Sequence, residues 1–422
     1  MPPTRTTQRV ATSRGHVVRA IRWTTIIAMA APAFAQPDRH NGRLEKIGSF
    51  RVLRVWGEPD EMGFAHGFLV GKDIVSDLNV IIPAFFNGDV QRYEQSLPGL
   101  RQFINIPDRP LAEIKGIFRG ITEAAGAAPE VPVLKRPLTL DDLIWFNALD
   151  VLRAFGCSGF TVWGDRAGEF GVITARNFDF TPFAPTVVEH HLILVREPAG
   201  RHRVMSITFP GYVGAFTAIN DAGAAVFIHD GSAPSAEKPD GRYRPLVLAI
   251  QEILETSEPD NVFQRARDEL ARDPSPFSYM VRVVIPFVPA APAPVVVLRT
   301  DPTGVGVNPI REEICITTNH YLNDAFQPPS ADYPNSTNRY RILESRVGEI
   351  VTPETAWQAL AAVAVADTSC GTLHSLVYLP ERRRIDLAFA TWQGSFVPAT
   401  RMKPVSIAFG ELFPEPHDRR RR

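Results

Sequence analysis

A short stretch of this 422-residue chain contains three residue types that could perform covalent chemistry, Cys157, Arg176 and Asp179. Apolar residues alternate with small or polar ones after Cys157, which predicts a half-buried strand. A turn at 165–169 then returns the chain as a second strand, 170–175, which would carry Arg176 and Asp179 back toward Cys157. A nearby cation favours the thiolate, and a carboxylate can orient an amine or another base. These residues predict a nucleophilic thiol; the structural alternative is an inert buried cysteine beside a surface Arg–Asp pair.

The parts of the chain before and after Cys157 have different predicted structures. Before it, a strand at 50–56 is followed by three stretches with helical spacing, at 61–86, 110–127 and 138–155. After it, two helices are predicted at 246–254 and 261–272, and a third opens near Asn335. The remaining patterns predict strands at 187–196, 203–209, 213–219, 224–229, 279–285, 295–298, 314–318, 373–378, 384–390 and 405–409.

The first 35 residues have the pattern of an export signal. Arginines precede a short apolar run at 23–33, and Ala33-Phe34-Ala35 matches a small-residue cleavage site. The run is too short to span a bilayer, and no other stretch is long and apolar enough to do so. We therefore expect a periplasmic or secreted protein whose mature chain starts near Gln36. An uncleaved N-terminal anchor is the alternative.

The composition and motifs of the chain bear on whether it binds nucleic acid, a metal or a cofactor. The formal net charge is -1 and the hydrophobic content is 45%, so the sequence gives no electrostatic reason to expect nucleic-acid binding. It contains no glycine-rich phosphate loop and no zinc-like histidine spacing, so we expect no metal and no cofactor. Of the three cysteines, Cys315 and Cys370 could form a disulfide in an oxidising compartment or stay as two buried thiols.

Three groups of residues match motifs of a known family. Residues 156–179 contain Gly-Cys-Ser followed by Arg-Asn-x-Asp, residues 319–321 read Asn-His-Tyr, and residues 336–340 fit S-x-x-R-(Y/W/F). This pattern resembles the N-terminal-nucleophile hydrolases, specifically the acyl-CoA:6-aminopenicillanate acyltransferase-like branch (peptidase family C45). Choloylglycine hydrolase and penicillin V acylase are related to that branch. The resemblance implies an α+β fold, a four-layer αββα sandwich with antiparallel sheets.

The resemblance also implies a self-cleaving precursor. The chain would be cut between Gly156 and Cys157, which divides it into a helix-rich fragment, 36–156, and a catalytic fragment, 157–422. The freed α-amino group of Cys157 would then act as the base for its own thiol. The catalytic residues that the family motifs imply are Cys157, Arg176, Asp179, Asn319 and Arg339, of which Asn319 would donate to the oxyanion.

Other polar residues are weaker candidates for the same site. A backbone N–H near His229 or Asp230 would be the second oxyanion donor, and Asn177 and His320 are further candidates for contacts with the substrate. A motif near the start of the precursor makes His66 a candidate for a place near the site. The alternative for His66 is a packed helix residue.

The implied roles predict chemistry at a linear amide bond through an acyl-enzyme on Cys157. The substrate would be a small-molecule amide or acyl compound, and the two fragments would stay associated. Whether water or an amine accepts the acyl group, and so whether the protein is a hydrolase or an acyltransferase, stays open. Two alternatives are an uncut cysteine hydrolase with a histidine base, such as His229 or His320, and a non-catalytic exported binding protein on the same fold.

Overall fold

The computed structural model describes residues 41–152, 155–180, 184–231, 242–272, 275, 277–288, 292–322, 335–367 and 370–414. The predicted signal at 1–35 and the expected start of the mature chain near Gln36 lie outside these ranges. The helices are α1 Pro59–Phe85, α2 Val90–Phe103, α3 Asp108–Ala125, α4 Leu140–Phe146, α5 Pro185–His190, α6 Leu246–Thr256, α7 Val262–Arg272, α8 Ser336–Arg346, α9 Pro353–Ala362 and α10 Phe409–Leu412.

The strands up to the middle of the chain are β1 Gly42–Ile47, β2 Phe50–Gly57, β3 Glu130–Val131, β4 Arg136–Pro137, β5 Phe155–Trp163, β6 Val172–Phe180, β7 Leu192–Pro198, β8 Val204–Thr208, β9 Thr217–Asn220 and β10 Ala225–Asp230. The later strands are β11 Tyr279–Val284, β12 Val295–Asp301, β13 Gly304–Val307, β14 Ile314–Thr317, β15 Gly371–Leu379, β16 Arg384–Phe389, β17 Thr391–Trp392, β18 Phe396–Val397 and β19 Val405–Ala408.

Two large sheets dominate the described part of the chain. One has nine strands in the order β1-β2-β7-β8-β9-β10-β11-β12-β13, and the other has six in the order β14-β5-β6-β15-β16-β19. Neighbouring strands in both sheets run antiparallel, apart from β2 and β7, which pair in parallel. A parallel pair needs a long crossover, and here the crossover contains α1 to α5 together with β5 and β6. The predicted antiparallel sheets are therefore found with this one exception.

The two sheets pack face to face, and helices cover their outer faces. The core between the sheets includes Val52, Ile193, Phe227, Val172, Leu376 and Ile385. The other face of the nine-stranded sheet packs on α1, α3 and α6 through residues that include Leu53, Leu194, Val226, Ile74, Ile117 and Ile250. The other face of the six-stranded sheet packs on α8 and α9 through residues that include Phe160, Ile173, Val377, Leu343 and Leu360. The predicted α+β sandwich of four layers is confirmed.

The predicted helix at 138–155 is too long. The helix α4 ends at Phe146, a single 3-10 turn covers Leu149–Leu152, and β5 already begins at Phe155. The apolar spacing that suggested one helix continues through this region, but pairing of β5 with β6 fixes its last residues as a strand. Just before Cys157, strand pairing therefore determines the structure, although the local apolar spacing is helical.

A second correction concerns the strand predicted at 187–196. Residues Pro185–His190 form α5, and the strand β7 begins only at Leu192. Proline suits the first turn of a helix because its N–H would have no partner there, which explains the start of α5. The first part of the strand predicted at 187–196 is therefore helical. Other elements were not predicted, among them the helices α2 and α9 and the strands β1 and β13.

Three further observations concern the described part of the chain. Cys157, Cys315 and Cys370 are all buried free thiols, which agrees with the second arrangement expected for Cys315 and Cys370. No helix in the described ranges combines the length and the apolar character that a bilayer crossing requires. Within the same ranges, no group of three or more His, Cys, Asp and Glu residues is arranged to hold a metal ion.

Candidate active site

Cys157 lies fully buried near the start of β5, between the neighbouring strands β6 and β14. The register places Cys157 opposite Phe178 and places Gly159 opposite Arg176. Because residues two apart on a strand share a face, Arg176 reaches diagonally across to the Cys157 side chain. The hairpin predicted from the sequence therefore does bring the arginine to the thiol.

The Cys157 thiol contacts one arginine and one main-chain carbonyl. Nη2 of Arg176 donates to Sγ at 3.1 Å and to the carbonyl oxygen of Ile228 at 2.8 Å. Sγ lies 3.3 Å from that same carbonyl oxygen. Burial raises the pKa of the Cys157 thiol to about 12, and Arg176 acts in the opposite direction. The lowering by Arg176 that the sequence predicted is present, but burial outweighs it.

The main chain of Cys157 is held by two other predicted residues. Its N–H donates to Oδ1 of Asn319 at 2.9 Å, and its carbonyl oxygen accepts from Nη1 of Arg339 at 2.6 Å. Nη2 of Arg339 donates to the same Oδ1 at 2.7 Å, while Nδ2 of Asn319 donates to the Asp230 carbonyl at 2.8 Å. Two donors at one end of the Asn319 amide and a carbonyl at the other fix its orientation.

The start of α8 positions Asn319. The hydroxyl of Ser336 accepts the backbone N–H of Asn319 at 2.7 Å and lies 2.7 Å from Nδ1 of His320. It also contacts the Thr318 hydroxyl at 2.9 Å. His320 therefore bonds to the hydroxyl that supports Asn319, and its ring packs edge-on against Tyr340.

Asp179 and Asn177 lie on the face of β6 that is turned toward the outer helices. The Asp179 carboxylate accepts from the Thr372 hydroxyl at 2.6 Å and lies 3.8 Å from Nη1 of Arg339. Burial raises the pKa of Asp179, and Arg339 opposes that rise. Asn177 donates to the Leu360 carbonyl at 2.9 Å and accepts from the Ser375 hydroxyl at 2.7 Å, so its amide serves the contact with α9. Asp179 thus contacts Arg339, which in turn donates to the Cys157 carbonyl.

His229 lies buried beside the Cys157 main chain. Among the described residues, neither ring nitrogen has a hydrogen-bond partner. Burial lowers the pKa of His229 well below its ordinary value, and Arg176, Arg282 and Arg339 lower it further, which keeps the ring neutral. Asp230 takes part through its main-chain carbonyl, which accepts from Asn319.

His66 lies elsewhere in the molecule. Its Nε2 accepts the backbone N–H of Gly211 at 2.7 Å, and burial lowers its pKa to about 3. Gly211 has a φ of 83°, a left-handed conformation that glycine adopts without strain. The packed-helix interpretation of His66 is therefore the one that matches its contacts.

Two elements of the site were not recognised from the sequence. The Ile228 carbonyl accepts from Arg176 and lies against the thiol, and a main-chain group gives no signal in residue types. Ser336 was expected only as part of the family motif at 336–340, but its hydroxyl connects residues 318–320 with α8. The helix-start pattern at 335–336 was the signal that could have identified it.

Comparison with known sequences finds few relatives. No protein-family model matches the chain. An uncharacterized protein of Archaeoglobus fulgidus is 26% identical over 204 residues, a match covering 44% of this chain and 34% of that protein. The match thus spans about a third of the relative's length.

Solved structures give weak global matches. The N-acylethanolamine-hydrolyzing acid amidase ortholog of Caenorhabditis elegans is 17% identical with a TM-score of 0.38, covering 53% of this chain and 93% of that one. A variant conjugated bile acid hydrolase from Clostridium perfringens is 9% identical with a TM-score of 0.38, covering 60% and 93%. Penicillin V acylase from Agrobacterium tumefaciens is 12% identical with a TM-score of 0.36, covering 62% and 89%. The fold assignment rests on the sheets and layers described above.

Proposed function

We propose that this protein is a cysteine N-terminal-nucleophile hydrolase of the C45 type that acts on linear amide bonds through an acyl-enzyme on Cys157. The observation that carries the proposal is the set of hydrogen bonds that converge on this one residue. Arg176 donates to its thiol, Arg339 donates to its carbonyl, and Asn319 accepts its N–H. A buried cysteine with a merely structural role would not need polar side chains from three separate segments at its three polar groups.

The first step of the proposal is self-cleavage. Sγ of Cys157 attacks the carbonyl carbon of Gly156 and loses its proton, the C–N bond breaks, and the nitrogen of Cys157 takes up a proton to become an amine. Water then hydrolyses the resulting thioester, which leaves a carboxylate on Gly156 and restores the thiol. Gly156 lies within β5, paired opposite Asp179, so the bond to be cut is part of a strand. The nitrogen to be released already lies 2.9 Å from Oδ1 of Asn319.

The second step is the reaction with substrate. The new amine has an unperturbed pKa of about 7.7–8.0, so it can accept the thiol proton near neutral pH, which an amide nitrogen cannot do. The thiolate then attacks the substrate carbonyl. The Nδ2 group of Asn319 has two hydrogens, of which one faces the Asp230 carbonyl, and the other is available to the oxyanion. Water or an amine finally removes the acyl group.

The proposal includes export and a two-fragment product. The signal-like sequence at 1–35 would direct the precursor to the periplasm or the outside of the cell. The fragments 36–156 and 157–422 would remain associated, because α1 and α3 pack on the sheet to which β7, β8 and β10 belong. The substrate would be a small-molecule amide.

An N-terminal sequence and an intact mass of the purified protein test the proposal. Wild type should yield two fragments, one of which begins at Cys157, while Cys157→Ala should stay uncut and inactive. Cys157→Ser should be cut more slowly, because a hydroxyl can make the same shift. Cys315→Ser removes another buried thiol and serves as the matched control, which should be cut normally.

Each alternative has its own outcome in this experiment. Wild-type protein that is active on an amide as one chain starting near Gln36 would contradict self-processing and favour the histidine-base enzyme. An uncut chain that is also inert toward thiol-directed acylating reagents would favour the binding protein.

A further inference from the structure

Arg282 is a fully buried arginine that the proposed mechanism does not use. It lies on β11, opposite Phe227 of β10, and both residues face the space between the two sheets. Nη2 of Arg282 donates to the Ala175 carbonyl of the opposite sheet at 2.8 Å. Its guanidinium carbon lies 5.0 Å from the centre of the Phe227 ring. The side chain therefore crosses from one sheet to the strand that also carries Arg176.

Arg176 rests on the same aromatic ring. Its guanidinium carbon lies 5.7 Å from the centre of the Phe227 ring, so that one ring contacts two buried cations. Within the described ranges, no carboxylate forms an ion pair with either arginine. Nε and Nη1 of both guanidiniums also lack a hydrogen-bond partner there. Buried charges are normally paired, so this pair of cations calls for an anion.

Gly159 makes room for Arg282. A Cβ atom at this position would lie 2.7 Å from Nη2 of Arg282 and 2.2 Å from the Ala175 carbonyl oxygen. Gly159 follows Cys157 by two residues and shares its face of β5, at a separation of about 7 Å along the strand. Because Gly159 has no side chain, the guanidinium of Arg282 can lie on the same face of β5 as Cys157.

The Cys157 thiol can supply the missing anion. Burial lowers the pKa of Arg282 to about 9; the two thiols Cys315 and Cys157 act against that lowering, and Arg176 adds to it. Other charged groups also act on the Cys157 thiol: Arg339 lowers its pKa, and Asp179 and Asp230 raise it. A thiolate at Cys157 would therefore stabilise both guanidiniums, and by reciprocity both guanidiniums would stabilise the thiolate.

We propose that Arg282 is a positioning residue for the nucleophile, which together with Arg176 favours the thiolate form of Cys157. The role of Cys157 as nucleophile comes from the proposed function. The effect on its thiol can be measured without any substrate, so the two proposals can fail separately.

The test is the pH dependence of alkylation by iodoacetamide, followed by mass spectrometry at the Cys157 and Cys315 peptides separately. Arg282→Gln removes the charge but can still donate to the Ala175 carbonyl. We expect it to raise the midpoint for Cys157 by about one pH unit, because a nearby cation that favours the thiolate is lost. Arg282→Lys keeps the charge and should restore most of the shift. If Arg282→Gln does not fold, Arg282→Met retains the apolar stem and replaces it.

Arg203→Gln is the matched control, because Arg203 also lies over a phenylalanine ring, at 5.5 Å from Phe413, but forms an ion pair with Asp221. It should leave the midpoint unchanged. An unchanged midpoint for Cys157 in folded Arg282→Gln overturns the proposal, and so does a shift confined to Cys315. A shift of equal size in Arg282→Lys would also overturn it, because packing rather than charge would then be the cause. Loss of the Cys157 role in catalysis, with the alkylation shift intact, would contradict only the proposed function.

Discussion

Each of the two large sheets contains a buried arginine, and the two arginines differ in the groups that surround their charge. Arg196 of β7 is 5% exposed and lies between two carboxylates, Glu113 of α3 and Glu255 of α6. Arg176 of β6 is 0% exposed and has a thiol, a carbonyl and a second arginine as neighbours. The first cation forms ion pairs with two carboxylates, whereas the second forms none with a described carboxylate.

The difference separates a structural cluster from a reactive one. Burial tends to lower the pKa of Arg196, but Glu113 and Glu255 raise it above its ordinary value, so its charge is permanent and satisfied. Burial lowers the pKa of Arg176, and Cys157 and Asp179 only partly restore it. An uncompensated buried cation costs stability. Such a cost is typical of sites where a charge is needed for chemistry.

The largest expected effect of this contrast is on stability. Glu113→Ala leaves Arg196 with one carboxylate, and breaking a buried ion pair of this kind should reduce the free energy of unfolding by about 3–5 kcal/mol. Urea unfolding followed by circular dichroism measures this loss. Glu123→Ala removes an exposed acid from the same helix and should change the free energy little. A loss below about 1 kcal/mol for Glu113→Ala would mean that the cluster is not the structural one.

The next effect is on catalysis at the reactive cluster. Asn319→Ala should lower kcat by about 10²–10³ with little change in substrate binding, the usual cost of losing an oxyanion donor. Steady-state kinetics on a correctly processed variant measures it. Asn79→Ala, on α1, removes an amide whose oxygen accepts the Val133 N–H, and it should keep normal turnover. Near-normal kcat in Asn319→Ala would show that its amide only holds the Cys157 backbone.

The smallest effect is on the thiol itself. Arg176→Gln should raise the midpoint of Cys157 alkylation by about 1 pH unit or slightly more, because the adjacent cation that favours the thiolate is lost. The midpoint moves upward because the thiol is an acid: without the cation, the neutral thiol of Cys157 persists to higher pH. The free energy of unfolding should not fall by the amount expected for Glu113→Ala, because no carboxylate loses its partner. An unchanged pH profile would make Arg176 a structural residue and remove the contrast with Arg196.

The residues that meet at Cys157 were largely predictable from the sequence. The alternating pattern around Cys157 predicted the hairpin that carries Arg176, and strand periodicity fixes which residues share its face. The placement of Asn319 and Arg339 came from motif resemblance, because no local pattern relates residues more than 160 positions from Cys157. The four layers came from the same resemblance.

The remaining features depend on tertiary contacts that residue types do not encode. The Ile228 carbonyl and the approach of Arg282 over Gly159 arise only when the two sheets pack. The helix expected at 138–155 ends early because β5 pairs with β6, and pairing outweighs local spacing. The valines at 187–188 suggested a strand, but they lie in α5, where the preceding proline sets the start of a helix.

The parallel pairing of β2 with β7 determines how this protein can be produced in the laboratory. The strands β1 and β2 come from the part of the chain before Cys157, and they cover one side of β7. Residues 157–422 expressed alone would leave the N–H and C=O groups of β7 open, and such an edge is a template for aggregation. The part of the chain before Cys157 therefore protects this edge. We expect residues 157–422 to stay soluble only when the preceding part is co-expressed.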